Sequence, residues 1–164
     1  MPFDLLTSKG IQFIGLVLLA IASIFDIFSR KVPNLLILLG LSVGIFLNAF
    51  YSSDLGFTQS VYGGFLGFLL FFYPFYKGHL GAGDVKLFAM AGVFIGPYLT
   101  LWAFVFVILC GGFFSLISLI VRLGLRHLKD YSLIKSVFKL GMPYAVPIFF
   151  GTLMAVINLQ GLRI

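Results

Sequence analysis

Two aspartates are the first candidates for chemistry, because both lie at the edges of apolar stretches of the chain. The sequence has only five acidic residues, and all of them are aspartates. Asp26 lies near the end of one apolar run, and Asp84 opens another directly behind the Gly-Ala-Gly stretch 81–83. Because a carboxylate in hydrocarbon costs roughly 2.5–3.5 kcal/mol on insertion scales, such a residue usually has a function. Two of them, from distant segments, predict an acid–base pair.

Paired carboxyl groups can hydrolyse a peptide bond without a metal ion or a cysteine. Two carboxylates that share a site do not both ionise readily, so their proton affinities separate. The ionised group can take a proton from water that attacks a carbonyl carbon, while the protonated group donates to the carbonyl oxygen. Glycines beside Asp84 suit this chemistry, because an extended substrate backbone can approach closely where side chains are missing. We therefore expect no cofactor and no metal, and the single cysteine, Cys110, excludes a zinc site built from cysteines.

The composition of the chain indicates its broad class. Hydrophobic residues make up 61% of the chain and charged residues only 10%, and the mean hydropathy is +1.15. A soluble domain carries about 25% charged residues. The composition therefore predicts an integral membrane protein with a single domain over residues 1–164, and no appended soluble module.

Apolar runs between charges and helix breakers predict an all-α, polytopic fold with six transmembrane helices, since about 20 apolar residues in a helix cross the hydrocarbon. The six segments are 10–29, 34–51, 60–76, 84–95, 98–121 and 143–160. The long uncharged stretch 87–121 is divided at Gly96-Pro97, because proline cannot continue the hydrogen bonds of a helix.

The fourth segment is too short to cross the membrane. The 12 residues of 84–95 make about 18 Å of helix at 1.5 Å per residue, whereas the hydrocarbon core is about 30 Å thick. When the break at Gly96-Pro97 lies at one membrane surface, this short helix does not reach the other surface, and its first residue, Asp84, lies inside the membrane. Irregular backbone at that depth is tolerated only against protein or a wet cavity. The stretch 81–83 therefore predicts a water-accessible cavity beside Asp84.

Basic residues predict the orientation, because cytoplasmic loops are rich in lysine and arginine. With six spans, the first, third and fifth loops share one side and carry nine of the eleven basic residues, namely Arg30, Lys31, Lys77, Lys86, Arg122, Arg126, Lys129, Lys135 and Lys139. Both termini then lie outside the inner (cytoplasmic) membrane, and the active-site cavity faces the cytoplasm. The net charge of +6 thus reports topology, and we expect no nucleic acid as a partner. The stretch 125–140 predicts an interfacial helix on anionic membrane lipid.

Each aspartate also has a purely structural interpretation. Asp26 and Arg30 are four residues apart and can form an ion pair on a helix surface. Asp84 precedes an apolar run and can cap the N-terminus of a helix. Lys86 can extend its amino group toward lipid headgroups. The shared membrane level of the two aspartates favours the catalytic interpretation.

Two motifs resemble those of type IV prepilin peptidases, which are GxGD aspartyl proteases of bacteria and archaea. Residues 81–87 read Gly-Ala-Gly-Asp-Val-Lys-Leu and are similar to the GxGD motif. Residues 26–34 read Asp-Ile-Phe-Ser-Arg-Lys-Val-Pro-Asn and resemble the motif around the first aspartate of the family. The two motifs come in the family's order, at the ends of the first and fourth predicted spans.

The resemblance implies an endopeptidase that removes the short basic leader from prepilin-like precursors at the cytoplasmic face, as part of type IV pilus assembly and protein secretion. It implies that Asp26 and Asp84 are the catalytic dyad, with neither assigned as acid or base. It also implies that six further residues bind substrate or shape the loops: Gly81, Gly83, Lys86, Arg30, Pro33 and Asn34. Long-form members have an additional cysteine-bearing domain and methylate the new N-terminus. We expect the short form here, as in Tad or Flp pili or archaeal preflagellin processing, without methylation.

Two other functions are compatible with the same residues. A small proton- or cation-coupled carrier can use two carboxylates as ion sites, and it predicts ion flux without processing of a precursor. A catalytically inactive relative that binds pilin subunits during assembly predicts binding without cleavage.

Overall fold

A computed structural model describes residues 2–29, 32–52, 56–78, 80–124 and 144–160, and all regular structure in these residues is α-helical. The helices are α1 (Pro2–Ser29), α2 (Asn34–Tyr51), α3 (Gly56–Tyr76), α4 (Ala82–Gly124) and α5 (Ala145–Gln160). The predicted all-α class is therefore confirmed for this part of the chain. The stretch 125–140, predicted as an interfacial helix, lies outside the described residues.

The helix bounds follow the predicted segments closely, and the largest differences lie at helix starts. α2 has the predicted bounds, whereas α1 begins at Pro2 rather than at residue 10 and α3 begins at Gly56 rather than at residue 60. A helix continues through polar residues beyond its apolar part, and proline at the first helical position suits the fixed φ of that residue. Apolar composition therefore marked the membrane-compatible part of α1 and not its whole length.

α4 is interrupted at the predicted position. Gly96 has φ 75° and ψ 170°, a conformation outside the helical region that favours glycine, and Pro97 follows it. We call residues 82–95 the central arm and residues 97–124 the outer arm of α4. The central arm is buried on all sides from Leu87 to Gly96, as expected of a helix that is apolar all round.

Glycines let the surrounding helices approach the central arm closely. Gly15 of α1 faces Phe94, and Gly63 of α3 faces the backbone of Gly92. The other glycines of α2 and α3 that lie against the central arm are Gly40, Gly44, Gly64 and Gly67. Small residues at helix–helix contacts bring backbones together, and this packing is typical of membrane helices. The central arm is thus the axis around which α1, α2 and α3 pack.

Aromatic packing fixes the central arm near its first turns. Phe88 stacks on Phe71 of α3, with ring centroids 4.2 Å apart and an interplanar angle of 22°. Phe104 of the outer arm meets Phe71 edge-on at 5.9 Å. Phe88 lies one helical turn after Asp84, so this aromatic cluster packs directly behind the first turn of the central arm. α5 packs on the outer arm, where Gly151 lies directly against Val107.

Three helical stretches are long and apolar enough to cross a membrane, judged by length and composition: Ser8–Ser29, Asn34–Tyr51 and Ala82–Leu116. The apolar stretch Ala145–Asn158 of α5 is shorter. Large apolar side chains such as Phe28, Phe50 and Phe65 are exposed, which suits helices that face lipid. The chain is therefore a membrane protein. The six-span topology, the side on which the termini lie and the direction of the cavity stay predictions.

Candidate active site

Asp26 lies in the last turn of α1 and is bound to the first residue of α5. Its side chain is 9% exposed, and its Oδ2 accepts a hydrogen bond of 3.2 Å from the backbone N–H of Ala145. The first N–H groups of a helix have no partner inside the helix, and the N-terminus of a helix carries partial positive charge. α5 therefore offers a carboxylate both a donor and a favourable field.

Ser23 binds the same residue of α5 from one turn earlier on α1. Its hydroxyl lies 3.0 Å from the carbonyl oxygen of Ala145 and 2.8 Å from that of Leu19. The sequence analysis did not single out Ser23. Its spacing of three residues from Asp26 was the available signal, because residues three apart share one helix face.

Asp84 is the third residue of α4 and folds back on the glycine stretch that precedes the helix. Its Oδ2 accepts a hydrogen bond of 3.0 Å from the backbone N–H of Gly81. Its own N–H donates to the carbonyl oxygen of Gly81 at 3.1 Å. A carboxylate at the third helical position that binds the N–H of the capping residue forms half of a capping box. The structural interpretation is thus partly correct, although Gly81 and not Asp84 occupies the cap position.

The fold brings the two aspartates together, although 58 positions separate residues 26 and 84 in the sequence. The two side chains are near enough for the charge of Asp26 to bear on the carboxyl group of Asp84. Asp26 is almost fully covered, whereas Asp84 is partly exposed. Each carboxylate has one oxygen bound to a backbone N–H at the start of a helix. The pair therefore lies between the N-termini of α4 and α5.

Three other predicted site residues lie at the start of α2 and on the first turns of α4. Pro33 is the N-cap of α2, and its carbonyl oxygen accepts hydrogen bonds from Leu36 at 3.0 Å and Ile37 at 3.4 Å. Asn34 is the first helical residue, and its Oδ1 accepts a hydrogen bond of 3.3 Å from the Nζ of Lys86. This contact joins the two sequence motifs, at a point where both side chains are exposed.

The two glycines of the second motif have different surroundings. A Cβ at Gly81 would lie 3.3 Å from Oδ2 of Asp84, whereas a Cβ at Gly83 would meet nothing within 4 Å. Neither is among the described glycines with positive φ, which are Gly56, Gly78 and Gly96. A side chain at position 81 would crowd the Asp84 carboxylate, whereas Gly83 leaves open space at the start of α4.

Arg30 lies outside the described residues, so its predicted role and the alternative ion pair with Asp26 stay predictions. Within the part of the chain that the structure describes, no group of three or more His, Cys, Asp or Glu side chains is arranged to hold a metal ion.

The fold and the site together define a helical membrane protein with an aspartate pair at one end of a buried helical arm. The sequence model of the type IV leader peptidase family matches residues 13–116. The chain therefore belongs to the type IV leader peptidase family, and this membership implies a protease that acts on a protein substrate. The chain matches no curated protein and no solved structure with significance. The matched range includes both aspartates and ends before α5.

Proposed function

We propose that this protein is an aspartyl endopeptidase of the cytoplasmic membrane that removes the short basic leader from type IV prepilin-like precursors. Asp26 and Asp84 are its catalytic residues, and neither a metal ion nor a cofactor takes part. The observation that carries the proposal is the match of the leader peptidase family over a range with both aspartates, each of which accepts a hydrogen bond from a backbone N–H at a helix start.

The proposed reaction is general acid–base hydrolysis of one peptide bond. The ionised carboxylate of the pair takes a proton from water as the water oxygen attacks the scissile carbonyl carbon. The protonated partner donates its proton to the carbonyl oxygen, which gives a neutral tetrahedral intermediate. When the carbon–nitrogen bond breaks, the leaving amine takes a proton from the carboxyl group that accepted it from water. A hydroxyl of the intermediate returns its proton to the other carboxylate, so the pair regains its starting state and the leader departs with a new carboxyl terminus.

The surroundings of the pair support this reaction. Backbone N–H groups of Gly81 and Ala145 hold one oxygen of each carboxylate, so the reacting groups are positioned before substrate arrives. Such pre-positioning contributes to rate because less orientation is lost in the transition state. The open space at Gly83 lets an extended substrate backbone pass close to Asp84 without meeting a side chain.

The proposed topology puts the pair within reach of a precursor that is anchored in the same membrane. Six spans with both termini outside give a site at the cytoplasmic level, where the basic leader of a precursor lies. Pro33, Asn34, Lys86 and Arg30 belong to the rim that receives or positions the substrate, with the Lys86–Asn34 contact joining its two halves. The partners are thus a prepilin-like precursor and the surrounding lipid.

The proposal is tested by cleavage of a prepilin-like precursor with the purified protein in detergent or liposomes, with the products identified by mass spectrometry. We expect cleavage by the wild type, and a loss of about 10²- to 10⁴-fold in Asp26→Asn and in Asp84→Asn, which is the usual contribution of a general acid or base. Asn keeps the size of the side chain but cannot exchange a proton, so folding should be retained.

The matched control is Asp54→Asn, which makes the same chemical change outside both motifs and should cleave like the wild type. Full activity in either site variant would show that the dyad is wrong. A wild type that cleaves none of several precursors, but moves ions across liposomes or binds pilin subunits, would favour one of the two alternative functions.

A further inference from the structure

The first residue of α5 is bound at two points by α1. The N–H of Ala145 donates to Asp26, and its carbonyl oxygen lies within hydrogen-bond distance of the Ser23 hydroxyl. Ser23 and Ala145 are 6% and 0% exposed, so water does not compete for these bonds. Two side chains on one face of α1 thus hold the N–H and the C=O of a single residue.

The Ser23 hydroxyl has one proton and two carbonyl oxygens within reach. A bond to Leu19 is local, because serine in a helix commonly binds the carbonyl four residues earlier. A bond to Ala145 spans 122 positions of sequence and has no local explanation. This second contact joins the start of α5 to α1 one helical turn before Asp26.

We propose that Ser23 is a positioning residue for Asp26, and that it acts through the first residue of α5. By holding the carbonyl group of Ala145, Ser23 sets where the N–H of the same residue meets the Asp26 carboxylate. This role rests on the proposed function. It also extends the catalytic unit to α5, which lies beyond the range that matches the leader peptidase family.

The physical reason is the small tolerance of a reacting pair to displacement. With the hydroxyl removed, the hydrogen bond of Asp26 is the remaining described side-chain bond from α1 to Ala145. Ala145 can then shift relative to α1, and the carboxylate can follow it. A misplacement of about 1 Å can cost on the order of 10²-fold in rate. The substrate leader does not touch a buried hydroxyl, so its affinity should not change.

The test compares Ser23→Thr with Ser23→Val, because these side chains have nearly the same shape and differ in the hydroxyl. We expect Ser23→Thr to keep most of the wild-type kcat, and Ser23→Val to lose about tenfold in kcat with KM unchanged. Ser23→Ala also removes the hydroxyl and adds no bulk to the buried face, so its kcat should fall as much as that of Ser23→Val. The assay is cleavage of the precursor per mole of folded, membrane-inserted enzyme.

Ser42→Ala is the matched control. Ser42 donates to the carbonyl of Leu38 at 2.9 Å, the same local contact that the Ser23 hydroxyl has with the carbonyl of Leu19, but Ser42 is exposed on α2. Ser42→Ala should keep the wild-type kcat, which separates the loss of a local bond from the loss of the contact with α5.

The outcomes are distinct. Equal kcat in Ser23→Thr, Ser23→Val and Ser23→Ala, with active wild type, would overturn the role of Ser23 and leave the proposed function standing. A lower thermal stability of Ser23→Ala with wild-type kcat would show that the residue is only structural. A wild type without cleavage activity would overturn the proposed function, and the role of Ser23 with it.

Discussion

The two ends of the central arm of α4 carry polar clusters of opposite chemistry. At the start of the arm, the carboxylate of Asp84 accepts a hydrogen bond from the backbone N–H of Gly81, and the Asp26 carboxylate accepts one from the first N–H of α5. At the Gly96 break, the side chains of Asn48 and Ser60 donate to the backbone carbonyl of Val93 at 2.9 and 2.8 Å. The direction of the helix explains the difference, because a helix start leaves N–H groups without partners and a helix end leaves C=O groups.

The cluster at the break follows from Pro97. In a continuous helix the carbonyl of Val93 would accept a hydrogen bond from the residue four positions later, which is Pro97 and has no N–H. Asn48 and Ser60 supply the missing donors, and both are 0% exposed. We call these two residues and the Val93 carbonyl the break cluster. The side chains of the break cluster are fully buried and uncharged, whereas Asp84 at the other end of the arm is partly exposed.

The comparison separates a site for chemistry from a structural bond. Both clusters satisfy backbone groups that the end of a helix leaves without partners. Of the two clusters, the one at the start of the arm combines ionisable groups with access, which the proposed exchange of protons with a substrate requires. If this distinction is correct, changes at the start of the arm alter cleavage and changes at the break alter stability.

The largest effect, a loss of stability, is expected from Asn48→Asp, which puts a carboxylate in the break cluster. An ionised aspartate can only accept hydrogen bonds, and it would face the carbonyl of Val93 in a buried place. An uncompensated buried charge costs about 3–5 kcal/mol of the free energy of unfolding. The measurement is thermal or chemical unfolding in detergent, together with kcat of the folded fraction, which should stay near the wild-type value.

The pH dependence of this variant has a definite sign. A protonated carboxyl group has an O–H that can donate to Val93, so the loss of stability should shrink at acid pH and grow as pH rises. An Asn48→Asp protein as stable as the wild type at neutral pH, or one that loses kcat before stability, would contradict the proposed difference between the two ends.

An intermediate loss of stability is expected from Gly92→Ala, which disturbs the packing of the central arm against α3. A Cβ at Gly92 would collide with the backbone of Gly63 in α3, and backbone cannot move aside like a flexible side chain. Overpacking of a core costs typically about 1–3 kcal/mol. Unfolding of the purified protein measures this loss.

Gly112→Ala is the control for that substitution. A Cβ there would meet nothing within 4 Å, and alanine is the better helix former. Its stability should equal or slightly exceed that of the wild type. Equal losses in both variants would contradict the assignment of the effect to the contact between α3 and the central arm, since helix propensity alone predicts a gain in both.

The smallest effect is expected from Lys86→Met at the rim of the site. The variant removes the 3.3 Å contact with Asn34, and both side chains are exposed. A typical intramolecular hydrogen bond contributes about 0.5–1.5 kcal/mol, and exposure puts this one at the low end, so cleavage should fall about two- to fivefold. A double-mutant cycle with Asn34→Ala measures the coupling, since contacting residues give non-additive effects. Strict additivity would show that the two halves of the rim act independently.

Local features of the sequence predicted much of the fold. Proline after glycine predicted the break of α4, and the bounds of α2 followed from charges and breakers around an apolar run. Both aspartates were identifiable because charge is rare and costly in apolar stretches. The start of α1 was predicted too late, because apolar composition does not mark the polar first turns of a helix.

The partners of these residues could not be predicted in the same way. The bond of Asp26 to Ala145, the contact of Lys86 with Asn34 and the donors to Val93 all join residues that are far apart in the chain. Asn48 looks like an isolated polar residue in an apolar helix, and Ser60 looks like one of several polar residues in the first turns of α3. Their function becomes evident only with the carbonyl that Pro97 leaves free.

The sequence by itself determined that the protein is an apolar helical chain, where its helices break, and which two residues carry titratable groups beside apolar runs. These properties depend on composition and on the backbone chemistry of single residues. The tertiary structure decided which carboxylate binds which helix start, because the approach and rotation of packed helices choose those partners. Glycine contacts around the central arm set that approach, and they are meaningful only when the neighbouring helix is in place.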